Sequence, residues 1–462
     1  MAYAAARSRL MTLRAIVLAA GMGTRMRSAQ PKVLHDICGR PMLWYTLRAL
    51  RAAGVDDLVV VTNHQVDAQI AALVAQTGGG RTVIQEPQRG TGHAVQVALA
   101  ALPGGEGTLV IAYGDMPLVT QAIFEDVAAS VDGDAGTALG LVTARMPLPS
   151  NFGRIIRKRE SVVRIVEARD CSPKKLAIDE MNCGIYAFDE TSLRLVIDKL
   201  TADNAQKELY LTDTVELLIA AGKRVVPVEC ADYRLVLGIN DRVELANARE
   251  LLNRSLCEAH MRAGVTIIDP ATTYLEPDVE IAADTVIYPN TAIGGPSRIG
   301  SGARIGPNSQ LYGAVLGQGV IVNQSAVYNS QLGDHVRVGP FAHLRGNSIL
   351  GSDVHIGNYV ELKNTVMHDG AKANHLTYLG DSEVGERANI GAGTITCNYD
   401  GVKKNRTEIG RDAFIGSNSS LVAPITIGDG AATGAGAVVI RDVAAGEHVV
   451  GNPARPLPKK GD

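Results

Sequence analysis

Two different hydrophobic patterns divide the chain. From residue 14 to about residue 241, short apolar runs with polar ends alternate with helix-like segments. The runs "RAIVLAAG", "DDLVVVTN" and "TLVIAYGD" are typical of buried parallel strands, and "PMLWYTLRALRAAG" is typical of a helix. The pattern predicts an α/β domain of Rossmann-like type over residues 14–241.

The next segment has apolar residues at helical spacing. These positions are Leu245, Ala248, Leu252, Leu256 and Ala259. A stripe of this kind predicts one long helix over residues 242–262, which links the first domain to a second one.

After Gly264 the pattern changes to aliphatic–glycine doublets. Ile293-Gly294, Ile299-Gly300 and Ile305-Gly306 succeed each other at steps of six residues. Three hexads make one turn of a triangular coil, with each aliphatic side chain pointing to the axis. The spacing predicts a left-handed parallel β-helix of hexapeptide repeats over residues 263–462.

One interval does not fit the repeat. The doublets at Leu350 and Val384 are 34 residues apart, which is not a multiple of 18, and "KANHLTYLGD" lies between them. Irregular polar segments on a rigid scaffold are where function concentrates. We therefore expect the repeat to be interrupted at residues 372–381 by a functional site.

Composition and charge exclude several classes of protein. The 462 residues suffice for two domains, and the net charge of −3 gives no electrostatic sign of nucleic acid or membrane as a partner. No apolar run reaches the roughly 18 residues of a membrane span. The six cysteines lack a CxxC spacing, so we expect no structural zinc, and scattered thiols fit the reducing cytoplasm.

The first residues are open to more than one interpretation. Arginines and a short apolar run resemble a signal peptide, but "AIVLAAG" is too short for one and precedes a glycine loop. We interpret this run as the first strand. The start of the protein is either Met1 or Met11.

The loop after the first strand is suited to an anion. In "LAAGMGTRM", Gly21 and Gly23 let backbone N–H groups approach a phosphate, and Arg25 and Lys32 add positive charge. A Rossmann fingerprint would need a glycine at Met26, and no Walker Gly-Lys-Ser/Thr is present after the loop. The loop therefore predicts a nucleoside triphosphate site of another kind.

Further stretches add polar groups at strand ends. "QEPQRGTGHA" places Gln85, Gly90 and Thr91 after a strand, where they could contact the edge of a base. Asp115 in "AYGDMPL" is either a hard oxygen ligand for Mg²⁺ or a turn or N-cap residue. The stretches "NFGRII", "IVEARD", "MNCGIY" and "LGINDR" contribute Gly153, Glu167, Asn182 and Asn240.

These motifs carry a resemblance to a known family. "LAAGMGTRM", "PKVLH", "GTGHA", "YGD" and "GIN" resemble the sugar-1-phosphate nucleotidylyltransferases. With the β-helix, residues 14 to about 445 resemble the bifunctional N-acetylglucosamine-1-phosphate uridylyltransferases / glucosamine-1-phosphate N-acetyltransferases. The resemblance implies a trimeric enzyme that uses UTP, N-acetylglucosamine 1-phosphate, glucosamine 1-phosphate and acetyl-CoA to make UDP-N-acetylglucosamine for the cell wall.

The resemblance also assigns roles in the first domain. Asp115 and Asn240 would hold Mg²⁺, and Arg25 and Lys32 would face the phosphates as catalytic cations. The uridine nucleotide would contact Leu18, Ala19, Ala20, Gly21, Gln85, Gly90 and Thr91. The sugar and ribose side would be lined by Tyr113, Gly114, Gly153, Glu167 and Asn182.

In the β-helix, His375 of "HLTYLGD" would be the general base that frees the sugar amine. A structural histidine is the alternative, and a solvated coil face is the alternative for the cations. Arg345 and Lys363 would bind the substrate phosphate, and Tyr378 and Asn389 the sugar. Acetyl-CoA would contact Ala392, Asn398, Tyr399, Ser417 and Ala435.

The tail "VVGNPARPLPKKGD" departs from the family. Asn452 stands where the family's tail arginine is expected, and Arg455 is a candidate substitute. Two rival functions stay open at this point. One is a nucleotidylyltransferase whose β-helix only assembles subunits, and the other is a non-catalytic regulatory subunit that binds sugar nucleotides.

Overall fold

The computed structural model describes residues 13–132 and 136–457. The chain divides into two compact units between Leu251 and Leu252, inside the helix α8 (Arg242–Arg262). The division into domains 14–241 and 263–462 with a linker helix between them stays a prediction. The choice between Met1 and Met11 lies outside the described residues.

The first unit is built on a nine-stranded mixed sheet. A separate two-stranded ribbon consists of β2 (Asp36–Ile37) and β3 (Arg40–Pro41). The main sheet has the order β11-β7-β10-β6-β1-β4-β5, with β8 and β9 attached to β10. Its strands are β1 (Arg14–Leu18), β4 (Asp57–Thr62), β5 (Arg81–Ile84), β6 (Thr108–Tyr113), β7 (Thr137–Arg145), β8 (Arg154–Lys158), β9 (Ser161–Val166), β10 (Glu180–Asp189) and β11 (Arg224–Glu229).

Helices alternate with these strands, as the sequence predicted. They are α1 (Met42–Ala52), α2 (Asp67–Gln76), α3 (Thr91–Ala101), α4 (Gln121–Asp132), α5 (Pro173–Leu176), α6 (Glu190–Val196) and α7 (Thr214–Ala220). None of the helices in the described ranges combines the length and apolarity needed to cross a membrane.

The strand β10 gives the sheet its mixed character. It runs antiparallel to both β6 and β7, whereas β1, β4, β5 and β6 are mutually parallel. Its first nine residues are buried. Because a strand buried on both faces has the same apolar pattern in either direction, the sequence did not reveal this reversal.

The second unit is a parallel β-helix with three faces. The first face contains β12 (Thr266–Ile267), β15 (Val286–Ile287), β18 (Arg304–Ile305), β21 (Ile321–Val322), β24 (Arg337–Val338), β27 (His355–Asn358), β30 (Lys372–His375), β33 (Asn389–Ile390), β36 (Phe414–Ile415), β39 (Ala432–Thr433), β41 (His448–Val450) and the antiparallel β42 (Arg455–Pro456).

Two further faces complete each turn. The second face contains β13 (Tyr274–Leu275), β16 (Ala292–Gly294), β19 (Gln310–Tyr312), β22 (Ala326–Tyr328), β25 (His343–Arg345), β28 (Glu361–Lys363), β31 (Tyr378–Gly380), β34 (Ile395–Cys397), β37 (Ser420–Val422) and β40 (Val438–Val439). The third contains β14 (Glu280–Ile281), β17 (Arg298–Ile299), β20 (Val315–Leu316), β23 (Gln331–Leu332), β26 (Ile349–Leu350), β29 (Val366–Met367), β32 (Ser382–Val384), β35 (Thr407–Ile409) and β38 (Ile425–Ile427).

The predicted interruption at residues 372–381 is wrong, because the coil continues through it. Leu350, Met367 and Val384 are in register on consecutive strands, 17 residues apart, and all are buried. Met367 has no glycine after it, so the turn that it marks is invisible in a search for doublets. Two turns, each one residue short at a corner, produce the 34-residue interval.

The coil is lengthened elsewhere. Val384 and Ile409 are in register on β32 and β35, 25 residues apart. The extra residues form the segment 398–406, "NYDGVKKNR", which leaves the coil after β34 and returns at β35. We call this segment the corner loop.

Adjacent residues on β26 test the inward row of the coil. Leu350 is 2% exposed and Ile349 is 45% exposed. We expect Leu350→Ala to lower the free energy of unfolding by about 2–5 kcal/mol, because it leaves a cavity on the axis. Ile349→Ala is the matched control and should cost less than about 1 kcal/mol. Urea unfolding of both variants measures the difference, and equal losses would contradict the inward assignment of Leu350.

Two candidate active sites

The carboxyl ends of β1 and β6 form the first candidate site. Leu18 ends β1 in register with Tyr113, which ends β6. Open α/β sheets bind ligands at this edge. Two cavities open there, the first cavity of about 420 Å³ and the second cavity of about 190 Å³. Tyr113, Asp115 and Asn240 line both cavities and therefore form their junction.

The two cavities gather most of the residues predicted for the uridylyl site. The first cavity is lined by Leu18, Ala19, Ala20, Gly21, Lys32, Gln85, Gly90 and Thr91. The second cavity is lined by Gly153, Glu167 and Asn182. Segments far apart in the sequence thus meet at one edge of the sheet.

Lys32 connects the two predicted metal ligands. Its ammonium group donates a hydrogen bond to the Asp115 carboxylate and another, of 3.1 Å, to Oδ1 of Asn240. The amide nitrogen of Asn240 donates to the Gly238 carbonyl at 3.2 Å, which leaves Oδ1 facing Lys32. A Cβ at Gly23 would lie 2.5 Å from Cβ of Lys32, so glycine permits this approach. A carboxylate and an amide oxygen therefore converge on one positive charge.

Hydrogen bonds fix the walls of the first cavity. Nε2 of Gln85 donates to the Gly90 carbonyl at 2.9 Å. Gly90 has φ of 101°, and a Cβ there would lie 2.7 Å from the Leu209 carbonyl oxygen. Thr91, the first residue of α3, accepts a 3.0 Å hydrogen bond from the N–H of Leu211. The start of α3 is thus held against the cavity.

The second cavity has a buried acidic group. Burial raises the pKa of Glu167, although a 3.1 Å hydrogen bond from Thr212 partly opposes the shift. Burial is also the main cause that raises the pKa of Tyr113, followed by the charge of Glu167. Nδ2 of Asn182 donates to the Tyr186 hydroxyl at 2.7 Å. These side chains are preorganised around the cavity rather than free to rotate.

Two predicted residues are placed differently. Arg25 lines a third cavity of about 490 Å³, which also reaches Asn240. Among the described residues, Gly114 does not line the first or second cavity. Its N–H donates to the Leu18 carbonyl at 3.0 Å, and a Cβ there would lie 2.9 Å from a methyl of Leu43. Gly114 therefore brings the two strand ends close together.

The cavities also contain residues that the sequence analysis missed. Gln88 and Glu208 line the first cavity, and Phe152 lines the second. Nε2 of Gln88 donates to the Ala20 carbonyl at 2.5 Å, so it ties its segment to the glycine loop. Gln88 and Phe152 lie within quoted motifs, and their position there was an available signal. Glu208 had no such signal.

The second candidate site begins with a column of residues on the β-helix. The His375 carbonyl accepts from the N–H of Gly393 at 3.4 Å, and that of Ala392 from Asn418 at 2.7 Å. The Ser417 carbonyl accepts in the same way from the N–H after Ala435, at 2.8 Å. Equivalent positions in successive turns are therefore Asn358, His375, Ala392, Ser417 and Ala435. We call this set the histidine column.

The base candidate His375 has a defined tautomer. Its Nδ1 lies 2.6 Å from Oδ1 of Asn358, its partner in the preceding turn. The amide oxygen only accepts, so Nδ1 carries the proton and Nε2 carries the free lone pair. The residue is exposed, and Nε2 is thus available to take a proton from a ligand.

The predicted phosphate cations form a separate cluster on the second face. Arg345 and Lys363 are in register on β25 and β28, and Arg345 pairs with Glu361 at 2.5 Å. Lys404 in the corner loop lies beside Lys363, which lowers the pKa of Lys404. Two ammonium groups held together favour an anion between them. The sequence analysis missed Lys404, although it lies just after "NYDG".

The sugar and acetyl-CoA candidates lie beside this cluster. Nδ2 of Asn398 donates to Asp381 at 2.5 Å. A Cβ at Gly380 would collide with the Tyr378 hydroxyl and would lie 2.7 Å from Nδ2 of Asn398, so both side chains extend over that glycine. The hydroxyl of Tyr399, which is 61% exposed, donates to a carbonyl of its own loop at 2.7 Å.

The corner loop is internally braced. The carboxylate of Asp400 accepts from the N–H groups of Val402 and Lys403 at 2.9 and 2.8 Å. Nδ2 of Asn405 donates to the same carboxylate at 2.9 Å. These hydrogen bonds lower the pKa of Asp400 to about 2. The loop therefore presents Lys404 from a fixed turn.

A single chain does not bring all predicted acetyl-site residues together. His375 ends β30 on the first face, whereas Lys363 ends β28 on the second. Asn389 lies on the first face in register with Lys372. In the tail, Arg455 is exposed on β42 and donates to the Ala454 carbonyl at 3.1 Å.

Comparison with protein families matches both units. Residues 15–170 match the MobA-like NTP transferase domain. Residues 270–366 match the GMPPB C-terminal domain, and residues 406–441 match the bacterial transferase hexapeptide repeats. These matches agree with the sheet of the first unit and the β-helix of the second.

Curated relatives match over nearly the whole chain. The Bifunctional protein GlmU of Trichlorobacter lovleyi is 45% identical over 93% of this chain and 93% of its own length. The proteins of the same name from Halalkalibacterium halodurans and Mycolicibacterium gilvum are 43% and 44% identical, over 93% and 94% of this chain and 94% and 88% of their own lengths. The chain belongs to the family of bifunctional GlmU proteins, which are uridylyltransferases and acetyltransferases.

Proposed function

We propose that the two sites catalyse successive transfers. The β-helix acetylates glucosamine 1-phosphate with acetyl-CoA, and the first unit then transfers UMP from UTP to N-acetylglucosamine 1-phosphate. The products are UDP-N-acetylglucosamine, a cell-wall precursor, and pyrophosphate. The observation that carries the proposal is the convergence of Lys32, Asp115 and Asn240 where the two cavities meet. All six cysteines are free thiols, which supports a cytoplasmic location.

The junction of the cavities suits an in-line phosphoryl displacement. With the nucleotide in the first cavity and the sugar in the second, the α-phosphorus of UTP would lie near Lys32. The sugar phosphate oxygen attacks that phosphorus, the bond to the bridging oxygen breaks, and pyrophosphate leaves. Lys32 neutralises charge that develops on the phosphates. Arg25 would add charge from the side of the third cavity.

The donor set fits Mg²⁺. The oxygens of Asp115 and Asn240 converge on the ammonium of Lys32, which stands where a cation is favoured. Hard oxygen ligands suit Mg²⁺, which takes its remaining ligands from phosphates and water. No cluster of three or more His, Cys, Asp or Glu side chains suited to a metal occurs in the described ranges, so two protein ligands are expected. When bound, the metal would neutralise phosphate charge and orient the triphosphate.

Removal of the Asp115 carboxylate tests the first site. We expect Asp115→Ala to lower magnesium-dependent pyrophosphate release from UTP and N-acetylglucosamine 1-phosphate by about 10²- to 10³-fold, because charge stabilisation at the junction is lost. Acetyl transfer should be unchanged. Asp126→Ala, which removes an exposed carboxylate on α4, is the control and should retain both activities. Wild-type pyrophosphate release by Asp115→Ala would refute the metal role.

The chemistry of the second site depends on the tautomer of His375. Nε2 takes a proton from the ammonium of glucosamine 1-phosphate, and the freed amine attacks the thioester carbonyl of acetyl-CoA. The carbon–sulfur bond breaks, and the thiolate of CoA leaves and is protonated. Asn358 holds the imidazole ring in position. The small residues of the histidine column leave space for the pantetheine arm.

Replacement of His375 tests the base. We expect His375→Ala to lower acetyl transfer by about 10²- to 10⁴-fold at neutral pH, with a melting temperature near that of the wild type. Uridylyl transfer should be retained, and the loss should be relieved at high pH, where the amine loses its own proton. Thiol release from acetyl-CoA measures the rate.

His368→Ala is the control for this experiment, because His368 is an exposed histidine on the same coil, paired with Glu383. Acetyl transfer retained by His375→Ala would eliminate the base role. The absence of thiol release from the wild type would instead favour the rival in which the β-helix only assembles subunits.

A homotrimer would complete the acetyl site. The base on the first face and the cations on the second face need a partner surface to meet, and three-fold packing of prisms supplies one to every subunit. An apolar row at the corner between these faces supports the proposal. Phe341, Tyr359 and Leu376 are 52%, 56% and 61% exposed.

The apolar row also carries backbone strain. Phe341, Tyr359 and Leu376 have φ values of 61°, 57° and 50°, a region that bulky residues rarely adopt. The rings of Phe341 and Tyr359 stack with centroids 5.4 Å apart. Strain combined with apolar exposure is explained if a neighbouring subunit covers the row.

Charges placed in the apolar row test the assembly. We expect wild type to be a trimer by light scattering and Phe341→Asp with Tyr359→Asp to shift it toward the monomer, since burying two carboxylates opposes association. Acetyl transfer should fall and uridylyl transfer should remain. Tyr274→Asp, at an exposed tyrosine of the first turn, is the control. A wild-type monomer with full acetyl transfer would refute the trimer.

A further inference from the structure

A basic groove lies on the first face of the β-helix, outside both candidate sites. Its volume is about 530 Å³. Arg337, His355 and Lys372 line it from three consecutive strands, β24, β27 and β30, and are in direct register. His335 and Arg387 line it from the adjoining corner. We call these five residues the basic groove.

The register of the groove sets its length. Neighbouring strands lie about 4.8 Å apart, so the backbone positions of Arg337 and Lys372 are separated by about 10 Å, with His355 between them. The long side chains of the outer two residues can therefore close on a ligand from both ends. The groove matches a short, elongated anion rather than a polymer that would need a longer basic track.

The charges in the groove are not neutralised by the protein. Elsewhere on the β-helix, Arg298, Arg406 and Arg411 each contact a carboxylate on an adjacent turn. Within the described ranges, Arg337 and Lys372 have neither an ion-pair partner nor a hydrogen-bond partner among the side chains. The ordinary alternative, a solvated face of paired charges, describes those three arginines but not this groove.

Two further observations concern the electrostatics of the lining. Asp353 is the one carboxylate among the described residues that line the groove, whereas Arg387 is paired with Asp412 at 2.8 Å. The pKa of His355 is lowered by burial first and then by the charges of Arg337 and Lys372. The groove thus has an excess of positive potential.

We propose that the basic groove binds a diphosphate group, either as free pyrophosphate or as part of a nucleotide. A diphosphate is elongated and multiply charged, so it can contact both Arg337 and Lys372 through charge-assisted hydrogen bonds. His335 and His355 supply further donors. No Phe, Tyr or Trp side chain is among the described lining residues, so the groove recognises phosphate and lacks a surface for stacking a base.

The position of the groove gives binding a consequence. Lys372 begins β30 and His375 ends it, so a bound diphosphate would lie on the strand that carries the proposed base. Both products of the proposed uridylyl transfer contain a diphosphate. The choice of ligand rests on that proposed function, whereas the existence of an anion site does not.

Calorimetric titration of the full-length protein tests the site. Pyrophosphate, UDP and orthophosphate are titrated in EDTA into wild type, into Arg337→Gln with Lys372→Gln, and into Arg298→Gln. The last variant removes a paired arginine of the same β-helix and is the matched control. We expect the double variant to lose affinity for pyrophosphate and UDP by about tenfold or more, because two charge-assisted contacts are removed. Wild type should bind orthophosphate more weakly.

The comparison between variants isolates the groove from the first unit, whose nucleotide site is the same in all three proteins. Equal heats for wild type and the double variant would overturn the proposal. Orthophosphate binding as tight as that of pyrophosphate would also overturn it, because the groove would then be a general anion site. Pyrophosphate bound without UDP would identify the free anion as the ligand.

Light scattering of the same preparations gives a further outcome. If the double variant changes its oligomeric state, the groove holds carboxylates of a second copy, and the diphosphate proposal is wrong. Uridylyl and acetyl assays on wild type keep the two hypotheses apart. Inactive wild type with intact diphosphate binding would refute the proposed function and leave the groove as an anion site.

Discussion

The second unit depends on the return of an aliphatic side chain to the coil axis in every turn. Leu350, Met367 and Val384 satisfy this requirement in consecutive turns. Because the inward row is aligned, the outward positions are aligned too, and residues from distant parts of the sequence form columns. The histidine column, the apolar row and the basic groove are three such columns. One packing constraint therefore arranges the catalytic, assembly and anion-binding surfaces.

The first unit achieves the same gathering by a different geometry. Parallel strands end at a common edge, so Leu18 and Tyr113 lie side by side although 95 positions separate them in the sequence. The polar residues that come after each strand meet there, and Lys32 holds Asp115 and Asn240 together. Both units thus place chemistry on rigid elements, where the positions of reacting groups are fixed before a substrate arrives.

Much of this organisation was predictable from sequence, because both folds repeat a short apolar pattern. The family motifs located the lining of the two cavities. The reversed strand β10 was not predictable, since burial on both faces removes the polar alternation that reveals direction. Met367 hid one turn of the coil, and the irregularity that belongs to the corner loop was therefore assigned to the wrong interval. The pairing of Lys363 with Lys404 depends on side-chain placement, which a linear pattern does not encode.

The corner loop shows how the β-helix accepts added length. Ile390 and Ile415 remain in register on β33 and β36 although the intervening turn is longer than its neighbours. Insertions at a corner therefore leave the core unchanged, while substitutions on the inward row disturb it. A coil of this kind can acquire or lose a binding specificity by changes in segment length alone. Percentage identity, which counts aligned substitutions, is a poor measure of such divergence.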